Sequence, residues 1–267
     1  MTICERGADR ARRSQRAVRL GGVAAALVLL LVAVGCEPAA PQPVPVAPSA
    51  PQTTAPRPTL EKDSPRMERL PPAEAIQAYQ GAGARVVVFG DSLAYGTTEA
   101  SIAELSAFSL SWNTWGSTTW DDYAGAARSV VASDAAVAVV ALGTNDLWDG
   151  WSLTDQIELD RFLKALGSPP CTVLVGYASG GPVLDIFHEP NLKYPAAEQA
   201  GNEALAAAAA QRTAAGAPTV VGDWGAAAAA VPGTYAWDNV HHTDLGDQTW
   251  AVWMRTELER VTTGPCA

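Results

Sequence analysis

The sequence predicts an α/β domain built on a five-stranded parallel sheet, and three observations predict it. Five short apolar runs, each the length of a buried strand, recur between residues 85 and 222. Helical stretches separate them, which is the spacing of βαβ units with helices on both faces of the sheet. Polar loops containing glycine follow several of the runs, and in an open parallel sheet that carboxyl edge is where ligands bind.

The elements follow in chain order. Arg85-Val86-Val87-Val88-Phe89 reads as the first strand, a continuous apolar run of the kind buried parallel strands show. A helix is expected over about 93–106. The second strand falls at Ser109 to Trp112 and a second helix at about 120–132. Ala136 to Leu142 forms the third strand, and a helix over about 153–166 precedes the fourth, Cys171 to Tyr177. A helix at about 195–215 contains the run Ala204 to Ala210, whose small side chains suit close packing on the sheet. Pro218 to Gly222 is the fifth strand, and an amphipathic segment from about Thr243 to Arg260 closes the domain.

Composition bounds the rest. The chain has 267 residues, 48% hydrophobic and 17% charged, which suits a globular protein. Its net charge is −10. Arg6, Arg10, Arg12, Arg13, Arg16 and Arg19 all precede Cys36, opposed by Glu5 and Asp9 alone, so the remainder is more acidic than the whole. Such a surface repels phosphate backbones, and nucleic-acid binding is not expected.

The N-terminus is read as an address. Residues 1–35 carry an Arg-rich stretch, an apolar run from Gly21 to Val34 and then small residues, the pattern of a secretory signal. Ala33-Val34-Gly35-Cys36 resembles a bacterial lipoprotein box, which would lipidate Cys36; cleavage after Gly35 by ordinary signal peptidase and an uncleaved anchor are the alternatives. Residues 36–72 hold Pro38, Pro41, Pro43, Pro45, Pro48, Pro51, Pro56 and Pro58 and are expected to be an extended linker. The domain then spans 73–267. Export places it at the outer face of the cytoplasmic membrane or in the cell wall, tethered to the membrane or secreted. In that oxidising compartment Cys171 and Cys266 form an even pair, and a disulfide between them is the hypothesis, against two unrelated thiols.

Gly90-Asp91-Ser92 directly follows the first strand and opens a helix. Its simplest reading is a helix cap. Its other reading is a nucleophile at a helix N-terminus, where free N–H groups favour developing negative charge. Trp112-Asn113-Thr114-Trp115-Gly116-Ser117 follows the second strand and Gly143-Thr144-Asn145-Asp146 the third. Together these put an N–H donor at Gly116 and a carboxamide donor at Asn145 beside the serine, which acyl transfer requires. The chain has three histidines, His188, His241 and His242. Asp238-Asn239-Val240-His241 lies before the last helix, and an Asp three residues before a His can orient it as a base within one turn. A metal site is not expected, since His241, His242 and Asp244 are too few for a zinc site.

Four separated motifs in this order resemble the SGNH/GDSL hydrolases: Gly90-Asp91-Ser92-Leu93, Gly116 after Asn113, Gly143-Thr144-Asn145-Asp146, and Asp238-Asn239-Val240-His241 continuing into Thr243-Asp244-Leu245-Gly246. The resemblance spans about 84–260. His242 departs from it, standing where such proteins often have Pro. The resemblance implies a flavodoxin-like α/β/α sandwich, no cofactor, and a triad of Ser92, His241 and Asp238. The oxyanion is then held by the N–H groups of Ser92 and Gly116 and the side chain of Asn145.

The substrate is expected to be a small-molecule or polysaccharide ester. Val221-Gly222-Asp223-Trp224 before an Ala-rich segment is similar to SGNH domains that handle O-acetyl groups on cell-surface polysaccharides. Trp112, Trp115, Trp120, Trp148 and Trp151 lie near the motif loops and are read as mostly core, with stacking on a sugar or lining an acyl pocket as the other roles. Short acyl chains are expected because no long apolar lid segment is evident. An acyltransferase would use the same residues, and a non-catalytic envelope-binding module would share the fold. A monomer is expected. A dinucleotide site is excluded, because Gly81-Ala82-Gly83 precedes the first strand instead of following it.

Overall fold

The computed structural model describes residues 75–264 and 266. The expected signal segment, Cys36 and the Pro-rich linker lie outside the described residues. Among those described, no helix is long and apolar enough to cross a membrane.

The elements run β1 (Arg85–Gly90), α1 (Ser92–Gly96), α2 (Thr98–Glu104), β2 (Ser109–Thr114), α3 (Ala124–Ala127), β3 (Val137–Ala141), α4 (Leu153–Leu166), β4 (Thr172–Val175), α5 (Tyr194–Ala214), β5 (Thr219–Gly222), α6 (Trp224–Ala229) and α7 (Asp244–Thr263). The five strands form one parallel sheet in the order β2-β1-β3-β4-β5. This is the flavodoxin-like order, and its reversal of winding lies between β1 and β3.

Alternate strand residues feed two cores, because successive side chains point to opposite faces. Val87, Phe89, Ala138, Val140 and Leu174 pack under α3, α4 and α5. Val86, Val88, Val137, Val139 and Val173 pack under α1, α6 and α7. α4 buries Leu159, Phe162, Leu163 and Leu166, a stripe at helical spacing, and starts at a capping box in which Ser152 and Asp155 satisfy each other's backbone N–H groups. In α5 the expected close approach of the Ala run holds, with Leu205, Ala208 and Ala209 buried.

Two expectations need correction. The helix predicted over 120–132 is instead a 3₁₀ turn at Asp121–Tyr123, the four-residue α3 and a second 3₁₀ turn at Val131–Ser133. The second turn stops at Asp134, whose left-handed backbone (φ 55°) cannot continue a helix. The helix predicted over 93–106 breaks at Thr97, whose hydroxyl donates to the Ala94 carbonyl at 2.9 Å.

Cys171 and Cys266 are joined by a disulfide, with Cα atoms 5.3 Å apart and a sequence separation of 95. It ties the chain beyond α7 to the start of β4. Closing so long a loop restricts the unfolded chain strongly. Replacing both cysteines by Ala is expected to lower unfolding free energy by roughly 2–4 kcal/mol, read from denaturant midpoints at unchanged slope.

Candidate active site

The site is assembled at the carboxyl edge of β1, β2 and β3, where the winding reverses. Gly90 ends β1, and a Cβ there would lie 2.3 Å from the Ala94 Cβ, so its missing side chain lets α1 begin directly over the strand end. Asp91 caps α1: its Oδ1 accepts the Leu93 N–H at 3.1 Å. Its Oδ2 accepts the Thr144 N–H, also at 3.1 Å, from the loop after β3. Burial pushes the Asp91 carboxyl up to about 6, against these two backbone hydrogen bonds, which pull it down.

Ser92 is the first residue of α1, so its N–H is among those a helix leaves without an intrahelical partner. The loop after β2 is fastened to the same spot. The Trp115 N–H donates to the Gly90 carbonyl at 3.0 Å, as does the Tyr123 hydroxyl at 3.3 Å. Gly116, buried, lies next to that anchor. Asn145 donates one Nδ2 hydrogen to the Thr118 carbonyl at 2.8 Å, joining the loops after β2 and β3. A carboxamide has two such hydrogens, so a second remains to donate. Gly143 makes this loop possible: it has φ +108°, and a Cβ would fall 2.0 Å from the Tyr177 hydroxyl and 2.8 Å from the Trp120 Nε1.

The other half comes from the loop before α7. His241 Nε2 is 3.1 Å from Ser92 Oγ, and His241 Nδ1 is 2.6 Å from Asp238 Oδ2. Asp238 Oδ1 also accepts the N–H groups of Val240 (3.0 Å) and His241 (2.9 Å). Burial works to raise the Asp238 carboxyl, but the His241 ring and these two N–H groups hold it down at about 2. The hydrogen bond to Asp238 raises His241 above its ordinary value, against partial burial. An ionised Asp238 beside a half-exposed imidazole stabilises the imidazolium that forms when His241 takes a proton.

Sequence reasoning missed two residues here. Asp91 reads as a plain cap, and only the fold shows that it also fixes the Asn145 loop. Asn239 adopts φ 59°, a left-handed conformation open to Asn, and this folds His241 back onto Asp238. Its Nδ2 donates to the Pro182 carbonyl at 2.8 Å, its own carbonyl accepts from Gly180 N–H at 2.9 Å, and Leu184 N–H donates to the Asp238 carbonyl at 3.1 Å. The β4–α5 loop therefore braces the Asp238 loop.

His242 has no share in this chemistry. Its side chain is 1% exposed. It packs against Trp224 at 5.1 Å and Trp250 at 5.6 Å between ring centroids. Burial lowers it to about 4. Trp112 and Trp120 are core residues, as expected, whereas Trp115 and Trp148 are exposed, Trp148 against the Tyr194 ring. Asp146 lies next to Asn145, and burial, aided by Glu158 and Asp155, pushes its carboxyl up to about 8. Among the described residues no cluster could hold a metal ion.

No family model matches the chain, and no curated protein matches its sequence. Solved structures do match. The C-terminal catalytic domain of Streptococcus pneumoniae peptidoglycan O-acetyltransferase A, with a methylsulfonyl adduct, superposes with a TM-score of 0.50 at 19% identity, over 68% of this chain and 97% of that one. A carbohydrate esterase family 3 protein from Talaromyces cellulolyticus gives 0.49 at 19% identity, over 67% and 98%. A GDSL-like lipase from Bacteroides thetaiotaomicron gives 0.47 at 15%, over 66% and 87%. The first of these likenesses supports the fold, a flavodoxin-like α/β/α sandwich.

His242 generates a stability prediction. A buried histidine with a lowered value costs nothing above about pH 6.5, where folded and unfolded chains both hold it neutral. As pH falls toward 4 the unfolded chain takes up the proton and the folded one does not, so stability is lost across that window. His242→Phe is expected to flatten this loss in denaturation midpoints measured between pH 7 and pH 4.

Proposed function

We propose that this chain is a serine ester hydrolase of the SGNH/GDSL type, acting on carboxylic esters of the cell envelope or extracellular carbohydrate. The observation that carries the reading is the continuous relay Ser92 Oγ···His241 Nε2 and His241 Nδ1···Asp238 Oδ2, at 3.1 and 2.6 Å. Ser92 Oγ attacks the ester carbonyl and His241 takes its proton at Nε2. Asp238 holds the imidazole in the tautomer with hydrogen on Nδ1. The N–H groups of Ser92 and Gly116 and the Asn145 carboxamide receive the oxyanion. The C–O bond to the alcohol breaks as His241 returns the proton to the departing oxygen. Water then adds to the acyl-serine, giving one proton to His241, and the collapse releases the acid and restores the Ser92 hydroxyl. No step calls for a metal or an organic cofactor.

The cellular setting belongs to the same proposal. A signal segment, a lipid on Cys36 and a Pro-rich spacer would hold the catalytic domain outside the cytoplasmic membrane. The acidic net charge of −10 favours neutral ester substrates over polyanions.

Ser92→Ala is expected to abolish hydrolysis of p-nitrophenyl esters and labelling by a fluorophosphonate; undiminished turnover would overturn the assignment. Asn145→Ala should lower kcat by roughly 10²–10³. Because His241 must be neutral to act as base, kcat/KM should fall as pH drops through a value above the ordinary imidazole pKa of about 6.5. Asp238→Asn should lower kcat by roughly 10⁴ and move that acid limb downward, since it removes the group that raises His241.

A further inference from the structure

A cavity of about 470 Å³ lies between α2, β2 and the segment before β1, and it reaches the neighbours of the proposed site at Tyr95 and Trp115. Its walls include Ala78, Ile102, Leu105 and Phe108, and at its catalytic end stand Tyr95 and Trp115. Those two rings lie 5.7 Å apart and are both partly exposed. Tyr95 is three residues beyond Ser92 on α1, a spacing that puts both on one helix face. Trp115 directly precedes Gly116.

Its chemistry is apolar. No carboxylate, Lys, Arg or His lines it. Two of its polar atoms satisfy each other, since the Trp112 Nε1 donates to the Thr98 hydroxyl at 3.1 Å and that hydroxyl donates to the Tyr95 carbonyl at 2.5 Å. The lining also includes the uncharged polar residues Gln77, Gln80, Ser106 and Thr114, and the rest of it is mostly carbon. The volume is that of a pocket for a drug-sized molecule, far more than an acetyl methyl group occupies.

Position decides which part of an ester enters. His241 must return its proton to the alcohol oxygen, so the alcohol leaves on the side of the Asp238–His241 loop, which lies between α6 and α7. The cavity lies at the opposite edge, against β2. We infer that it receives the acyl chain, and that the natural ester carries an uncharged acyl group several carbons longer than acetyl. This rests on Ser92 being the nucleophile, and it departs from the short-acyl expectation raised by the lack of a lid segment.

The test is a series of p-nitrophenyl esters from acetate to dodecanoate, on the unaltered protein and on Ala78→Trp and Ile102→Trp. Each methylene that enters the cavity should raise kcat/KM by up to roughly fourfold, so activity should climb from acetate toward octanoate. Either filling substitution should lower octanoate turnover at least about tenfold while leaving acetate turnover and the melting temperature near their original values. A profile highest on acetate and flat beyond it, or one that the filled variants lower equally at every length, overturns the inference. If no ester is turned over and fluorophosphonate does not label Ser92, the nucleophile assignment fails instead. The cavity is then tested alone by calorimetric titration with octanoate and with acetate. Saturable binding of octanoate only, lost in Ala78→Trp, supports the acyl pocket, and no octanoate binding overturns it.

Discussion

The buried carboxyl of Asp91 is the interaction on which the site depends. One oxygen caps α1 through Leu93 and so sets Ser92 at the first helical position; the other takes the Thr144 N–H and so sets the loop that carries Asn145. Ser92 and Asn145, 53 residues apart in sequence, share one strut. A buried polar group is costly unless satisfied, and here its satisfaction is what aligns the two loops.

The second half of the site is held by backbone more than by side chains. Asn239 turns left-handed, and the β4–α5 loop meets it at Gly180 and Pro182. With Asp238 taking two N–H groups and the imidazole at once, its carboxyl stays ionised and the ring has little freedom to turn away. The electrostatics are divided accordingly. The His241 ring and two N–H groups hold the Asp238 carboxyl low, while burial raises the Asp146 carboxyl beside Asn145.

Much of this was legible in the sequence because strong local signals agreed. The apolar runs at 86–89 and 137–141 can be little other than buried strands, and Leu159, Phe162, Leu163 and Leu166 mark a helix face without ambiguity. Ser92 and Asn145 were picked out by residue type and by lying just past strands, Asp238 and His241 by their spacing in the loop before the last helix. The region 120–132 misled because Ala-rich composition favours helix, while the left-handed Asp134 and the packing of Trp120 and Tyr123 against the sheet overrode that preference.

By itself the sequence determined that the chain forms one parallel α/β sheet and which polar residues lie in its loops, since strand-forming runs and loop residues are local properties. The tertiary structure alone decided three things. It brought His241 within 3.1 Å of Ser92 across 149 residues and turned its neighbour His242 into the aromatic core, a choice two adjacent histidines cannot express in one dimension. It made Asp91 a strut as well as a cap. And it opened an apolar cavity beside Tyr95 and Trp115, whose volume depends on how α1, α2 and β2 pack and not on any one of their sequences.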